Sequence, residues 1–207
     1  MHTHNIPIES DLERAQLVDL IAVAQAANVA MQFDIRYAST DNFTGLAVYD
    51  APRAFIRVDA AAALLRATQH LSSFGYGLRV FDAYRPWHVT LYFWVNFPND
   101  RLYLANPSHG SRHNRGCAID LTLYELATGE EVRMPSAYDE FNEKAHLHYA
   151  GGSASEREAR ELLQTAMLAE GFSSHPHEWW HFDYQNWQRC AVLDDSFAML
   201  DALLHTT

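Results

Sequence analysis

"HPHEWWHFDY", residues 175–184, contains the string H-E-x-x-H as His177, Glu178, Trp179, Trp180 and His181. On a helix, two His four positions apart share a face. They can hold one zinc ion while the Glu between them serves as base, the zincin arrangement. Here, however, the run is crowded with Trp, Phe and Tyr, which favour a strand. A regular strand puts Glu178 and Trp180 on one face and Trp179 and His181 on the other, unless the chain bends. A zincin also needs a third ligand. No Glu follows Glu178, and only Asp183, Asp194, Asp195, Asp201 and His205 remain. The stretch therefore reads as a strand carrying part of a site whose other part lies elsewhere.

The segment "SRHNRGCAIDLTLY", residues 111–124, offers that other part. Residues 117–124 alternate as a strand. Ala118, Asp120, Thr122 and Tyr124 share one face; Cys117, Ile119, Leu121 and Leu123 form the other, apolar one. A carboxylate in mid-strand is costly to bury unless it is paired or binds a metal. Two readings of Asp120 stay open: an ion pair with Arg85 or Arg115, or a metal ligand. Cys117 reads as a small buried hydrophobe. A catalytic zinc site takes three protein ligands and leaves one position for water. His113, Asp120 and His181 would supply nitrogen, oxygen and nitrogen. Glu178 would then be the general base for a water acidified by zinc, and His177 a bystander.

Outward from these segments the chain reads as one domain over residues 1–207. Asp59 is placed to cap a helix over 60–74, stopped by Gly75. A strand follows over 77–84, then a helix over 86–97 opened by Pro86 and ended near Pro98. Residues 99–115 read as a long loop. A helix over 153–170 opens with a capping box, Ser153/Glu156 or Ser155/Glu158, and ends at Gly171. Ala159, Leu162, Leu163, Ala166 and Met167 recur on one of its faces. Strands and helices mix without strict alternation, so the class is α+β. A net charge of -11 argues against a nucleic-acid partner and against an anionic membrane surface. The apolar run from Leu17 to Met31 is broken by Asp19, Gln25 and Asn28 and is too short to span a bilayer. The N-terminus shows no signal-peptide pattern, and the two Cys suit a reducing compartment. The expected location is cytoplasmic, which leaves the sequon at Asn42 without weight.

S-x-H-x-x-G-x-A-x-D, present from Ser111 through His113, Gly116 and Ala118 to Asp120, and E-x-W-H, present as Glu178, Trp180 and His181, together resemble the VanX-type D-alanyl-D-alanine dipeptidases. These belong to the zinc D,D-peptidase group with the Hedgehog/DD-peptidase fold. "RYASTDNFTG" (36–45) and "FDAYRP" (81–86) resemble the dipeptidases in particular. The resemblance implies a mainly antiparallel sheet flanked by helices, and one Zn2+ per chain on His113, Asp120 and His181. It implies Glu178 as base and Arg85 as the cation that steadies the oxyanion. It assigns Tyr37 and Asp139 to the free α-ammonium of a small dipeptide and Ser111 to substrate contact. Ion pairing for Arg85, core packing for Tyr37, a solvated loop for Asp139 and turn stabilisation for Ser111 are the alternatives. His109 lacks the spacing to Asp120 that His113 has. His146 and His148 lack a third partner and read as structural or surface His. Three functions stay open: zinc-dependent D-alanyl-D-alanine hydrolysis, a peptidoglycan D,D-carboxypeptidase or endopeptidase acting on longer stems, and an inactive zinc-stabilised binding module.

Overall fold

The computed structural model describes residues 7–204, so His205 and the first six residues of the N-terminal stretch lie outside it. In chain order the elements are α1 (Asp11–Arg14), β1 (Leu17–Asp19), α2 (Leu20–Ala27), β2 (Met31–Phe33), β3 (Phe55–Arg57), α3 (Val58–Ser72) and β4 (Tyr76–Asp82). There follow α4 (Trp87–Asn96), β5 (Ala118–Glu125), α5 (Ala154–Ala169), β6 (Phe172–His175), β7 (Glu178–Tyr184) and α6 (Phe197–Leu204). β1 and β3 form a small antiparallel pair. The main sheet has the order β2-β4-β5-β7-β6; only β2 and β4 run parallel. The class is α+β with a mainly antiparallel sheet, as expected.

β5 sits at the centre because one of its faces is wholly apolar. Ile119, Leu121 and Leu123 are fully buried in the core, where α3 and α5 pack on each other and on the sheet. Burying such a side chain contributes roughly 1.5–3 kcal/mol, so this face fixes the register; a one-residue slip would turn Asp120 and Thr122 into the core. Asp120 pairs with His181 and Ala118 with Asp183, which brings the two separated segments side by side. Just before β5, Gly116 adopts φ +64, and a Cβ there would meet the Leu17 side chain at 2.3 Å. Only glycine fits this turn, which delivers His113 onto the polar face of the sheet.

The helices form largely where expected, with shifted ends. Ser153 and Glu156 make the reciprocal capping box of α5, and Gly171 follows its end with φ +85. Leu163, Ala166 and Met167 are buried as the periodicity requires. α3 differs. It begins at Val58, and Asp59 lies in its first turn instead of capping it. β3 runs straight into this helix, and the Val58 N–H is satisfied by the Gln16 carbonyl at 3.0 Å. The side-chain cap is thus dispensable, while Asp59 still complements the positive end of the helix dipole. α4 spans Trp87–Asn96, and Pro98 opens a short 3-10 turn inside the expected loop.

β7 departs from regular alternation. Ser174 pairs with Phe182, but His175 pairs with Glu178, so β6 advances one residue while β7 advances four. This bulge turns Glu178 to the same cavity as His181. The even-odd separation expected of a straight strand is lost here, because a bulge re-aims side chains.

Candidate metal centre and active site

His113, Asp120 and His181 are the group of metal-ligating side chains that meets among the described residues, and all three are buried. His113 Nε2 lies 3.2 Å from His181 Nδ1 and 3.4 Å from Asp120 Oδ1, and His181 Nδ1 lies 3.0 Å from the same oxygen. Four ligands around zinc at 2.0–2.1 Å would stand about 3.3 Å apart, so this triangle matches one face of a tetrahedron. The outer ring nitrogens assign the protons. His113 Nδ1 donates to the Ala83 carbonyl at 2.7 Å, and His181 Nε2 donates to the Asp183 carboxylate at 2.9 Å. In the neutral rings both inner nitrogens are therefore lone pairs aimed at a carboxylate oxygen. Three converging lone pairs repel unless a cation joins them, and the donor set fits a borderline metal such as zinc. Without one, a proton takes that place. Burial works against charging His181, yet Asp183 and Asp120 raise its pKa well above the usual value. Asp120 is held low, because the two His outweigh the effect of its burial.

Glu178 borders the centre, with Oε2 3.7 Å from His181 Nδ1. Burial pushes its carboxyl up to about 7, against the pull of His181 and with a further push from Asp120. Arg85 lines the same cavity. The ion-pair reading of this Arg is seen directly: its Nε and Nη2 grip Asp82 Oδ2 at 3.0 and 2.7 Å, while Nη2 stands 3.9 Å from Asp120 Oδ2. Asp82 is fully buried and also accepts from the Tyr49 hydroxyl at 2.7 Å. The guanidinium is thus fixed by a rigid strand end and packs over the rings of Tyr37 and Phe93.

Tyr37 and Asp139 meet although 102 residues separate them; the Tyr37 hydroxyl donates to Asp139 Oδ2 at 3.1 Å. The DNFTG stretch explains Tyr37. The Asn42 amide nitrogen lies 2.8–3.1 Å from the carbonyls of Ser39, Leu46 and Arg36, and its oxygen accepts from Thr44 N. The folded loop returns Val48 and Tyr49 N–H to the Tyr37 carbonyl. Asp139 sits in the left-handed region at φ 57, an uncommon conformation that aims its side chain into the cavity. Burial, then Asp120, push its carboxyl well above the usual range, against the pull of Arg85 and Tyr37. Ser111 lines the cavity, and its Oγ also accepts from His113 N at 3.2 Å, the turn role named as its alternative.

The other His named from the sequence stand outside the metal-ligating group. His109 and His148 are exposed. His177 packs against His146 and His175 at ring distances of 4.8 and 5.8 Å and does not join the metal-ligating group. Three neighbours of the site escaped the sequence reading. Tyr138 donates to Asp120 Oδ2 at 3.1 Å. His175 lines the cavity with Nδ1 3.6 Å from Glu178 Oε2. Asp183 stands behind His181. Strand alternation two residues past His181 could have found Asp183; no local signal marks the other two.

A family model described as D-ala-D-ala dipeptidase, within peptidase M15, matches residues 13–200. The D-alanyl-D-alanine dipeptidase of Escherichia coli strain K12 is 32% identical over 186 residues, covering 90% of this chain and 93% of that protein. Those of Enterococcus faecalis and Enterococcus faecium are 37% and 36% identical, each covering 73% of this chain and 85% of the relative. With a match that runs nearly from end to end and takes in every residue of the site, the chain belongs to the D-ala-D-ala dipeptidase family of M15 peptidases.

Proposed function

We propose that the protein hydrolyses D-alanyl-D-alanine, using one zinc ion held by His113, Asp120 and His181. The observation that carries this reading is the convergence of three lone pairs beside a buried acid, in a cavity also lined by a fixed guanidinium. When bound, zinc would polarise the scissile carbonyl and acidify a water. Glu178 takes the proton of that water and returns it to the departing amine. Arg85, already held by Asp82, faces the oxygen on which negative charge develops, so it needs no reorganisation in the transition state. Ser111 contributes to the wall beside the substrate. The dipeptide is a small partner, and the proposal places the protein in the cytoplasm, where Cys117 and Cys190 would stay reduced. No helix among the described residues is long and apolar enough to cross a membrane.

The Tyr37–Asp139 pair favours a dipeptide over a longer stem. Asp139 is half-buried and lines the cavity, and a cation there favours its ionised form; a free α-ammonium supplies one, whereas an acylated stem nitrogen does not. The cavity, about 180 Å³, is also smaller than the roughly 300–1,000 Å³ of pockets for drug-sized ligands. Turnover of the L,L, L,D, D,L and D,D forms of Ala-Ala, with and without a chelator, tests the proposal. Metal-dependent release of D-Ala from the D,D form is expected. Faster cleavage of a pentapeptide stem would favour a carboxypeptidase. A melting temperature that falls on chelation without any turnover would favour a binding module.

Asp139→Asn isolates the amine contact. Asn tolerates a positive φ, so the backbone is preserved. Removing one partner of a buried charge pair costs about 2–5 kcal/mol, so kcat/KM for the dipeptide should fall by at least ~30-fold, chiefly through KM. Steady-state kinetics with an unchanged KM would remove Asp139 from the binding site.

A further inference from the structure

We propose that Asp183 is a positioning residue that fixes the ring of His181 and strengthens it as a metal ligand. Two residues along a strand, side chains return to the same face, so Asp183 falls beside His181 on the polar side of β7. Its Oδ1 lies 2.9 Å from Nε2, on the edge of the imidazole opposite the nitrogen that meets Asp120 and His113. Asp183 is itself well anchored. Its backbone lies between Ala118 of β5 and Ser173 of β6, and its carbonyl accepts from the Ser173 hydroxyl. Its second carboxylate oxygen stands 3.5 Å from Arg112 Nε, and that guanidinium lies over the Trp187 ring. The Asp183 side chain is 9% exposed, so the surrounding protein holds it in place with little competition from solvent.

The chemistry follows from the contrast between the two imidazoles. His113 donates its outer proton to a carbonyl, that of Ala83, with Asp82 Oδ2 farther off at 3.6 Å from the same nitrogen. His181 donates to an anion. A carboxylate partner keeps the proton on the outer nitrogen, fixes the ring plane and raises electron density on the inner one, which makes the ring a stronger donor to a cation. The centre thus holds one imidazole hydrogen-bonded to a carboxylate and one hydrogen-bonded to a carbonyl. The HPHEWWHFDY stretch carries the proposed base, a ligand and the group that orients that ligand within six residues, Glu178 to Asp183.

This inference rests on the metal-binding reading of the site, and the test separates the two. Zinc affinity is measured by chelator competition on the full chain for wild type, Asp183→Asn and Asp183→Ala. The visible spectrum of each cobalt-substituted protein is recorded alongside. Asn is isosteric, keeps an acceptor oxygen for Nε2 and loses only the charge, so it covers the case in which the Ala variant does not fold. The expected order of affinity is wild type, then Asn, then Ala, with the Ala variant about 10- to 100-fold weaker. The cobalt spectrum should shift in both variants while near-UV circular dichroism of the metal-loaded proteins is retained. A purely structural Asp183 would leave the affinity and cobalt spectrum of any folded variant as in wild type, and that result overturns the inference alone. A wild-type chain that binds no zinc overturns both readings.

Discussion

Alanine in place of His113, Asp120 or His181 is expected to abolish stoichiometric zinc binding and to take dipeptide turnover below detection, whereas His177→Ala should leave both within a few-fold of wild type. A catalytic zinc has three protein ligands, and losing one leaves a two-ligand site that competes poorly with water and buffer. Each of the three contributes an atom to a triangle with edges of 3.0–3.4 Å. His177 instead packs its ring against His146 and His175. Asp120 is the sternest case, because its loss also strips the Tyr138 hydroxyl of its acceptor and leaves the two inner nitrogens without an anion between them. Asp120→Asn is the milder companion variant, as it keeps the volume and an oxygen. Metal content after dialysis, read beside activity, decides the matter. Zinc retained by the Asp120 variants and lost from His177→Ala would restore the helical H-E-x-x-H reading.

Particular residues show why much of this was legible beforehand. Asp120 stood out as a carboxylate in mid-strand, on the face opposite the apolar one, and burial of Ile119, Leu121 and Leu123 agrees with that register. The capping box at Ser153 is a local pattern with a local cause, and it forms as read. The resemblance supplied what periodicity could not, the pairing of segments as far apart as His113 and His181. Features set by distant partners stayed hidden. Asp59 looked like a cap because nothing nearby shows that the Gln16 carbonyl takes the first helical N–H. The three-residue strands β1, β2 and β3 are too short for alternation to declare them, and they exist through pairing with each other or with β4. Tyr49 and Tyr138 reach Asp82 and Asp120 from loops, with no spacing rule to announce them. The bulge in β7 belongs to the same class. It arises from the hairpin with β6, and it converts a strand that should separate Glu178 from His181 into one that brings both to the cavity.

That convergence sets up the second large effect. Glu178→Gln should lower kcat by about 10²–10⁴-fold, the range that a positioned proton-transfer group contributes, with zinc stoichiometry and KM little changed. Gln has the same shape but cannot take a proton, so the variant tests the base and spares the metal ligands. The pH profile supplies an independent check. A base works deprotonated, so the wild-type rate rises with pH through the pKa of Glu178. Burial pushes that carboxyl up to about 7 in the metal-free chain, opposed by His181. A divalent cation would take the place of the proton on His181 and bring two charges where that proton brought one, so the acid limb of kcat/KM belongs below that value and should climb when the centre is weakened. In Glu178→Gln this limb should vanish from the residual rate. Arg85, Tyr37 and Asp139 stay in place in the variant, so ground-state binding survives while proton transfer is lost. Near-normal turnover by Glu178→Gln, or an unchanged acid limb in its residual activity, would assign the proton to another group and leave Glu178 as a buried acid beside the centre.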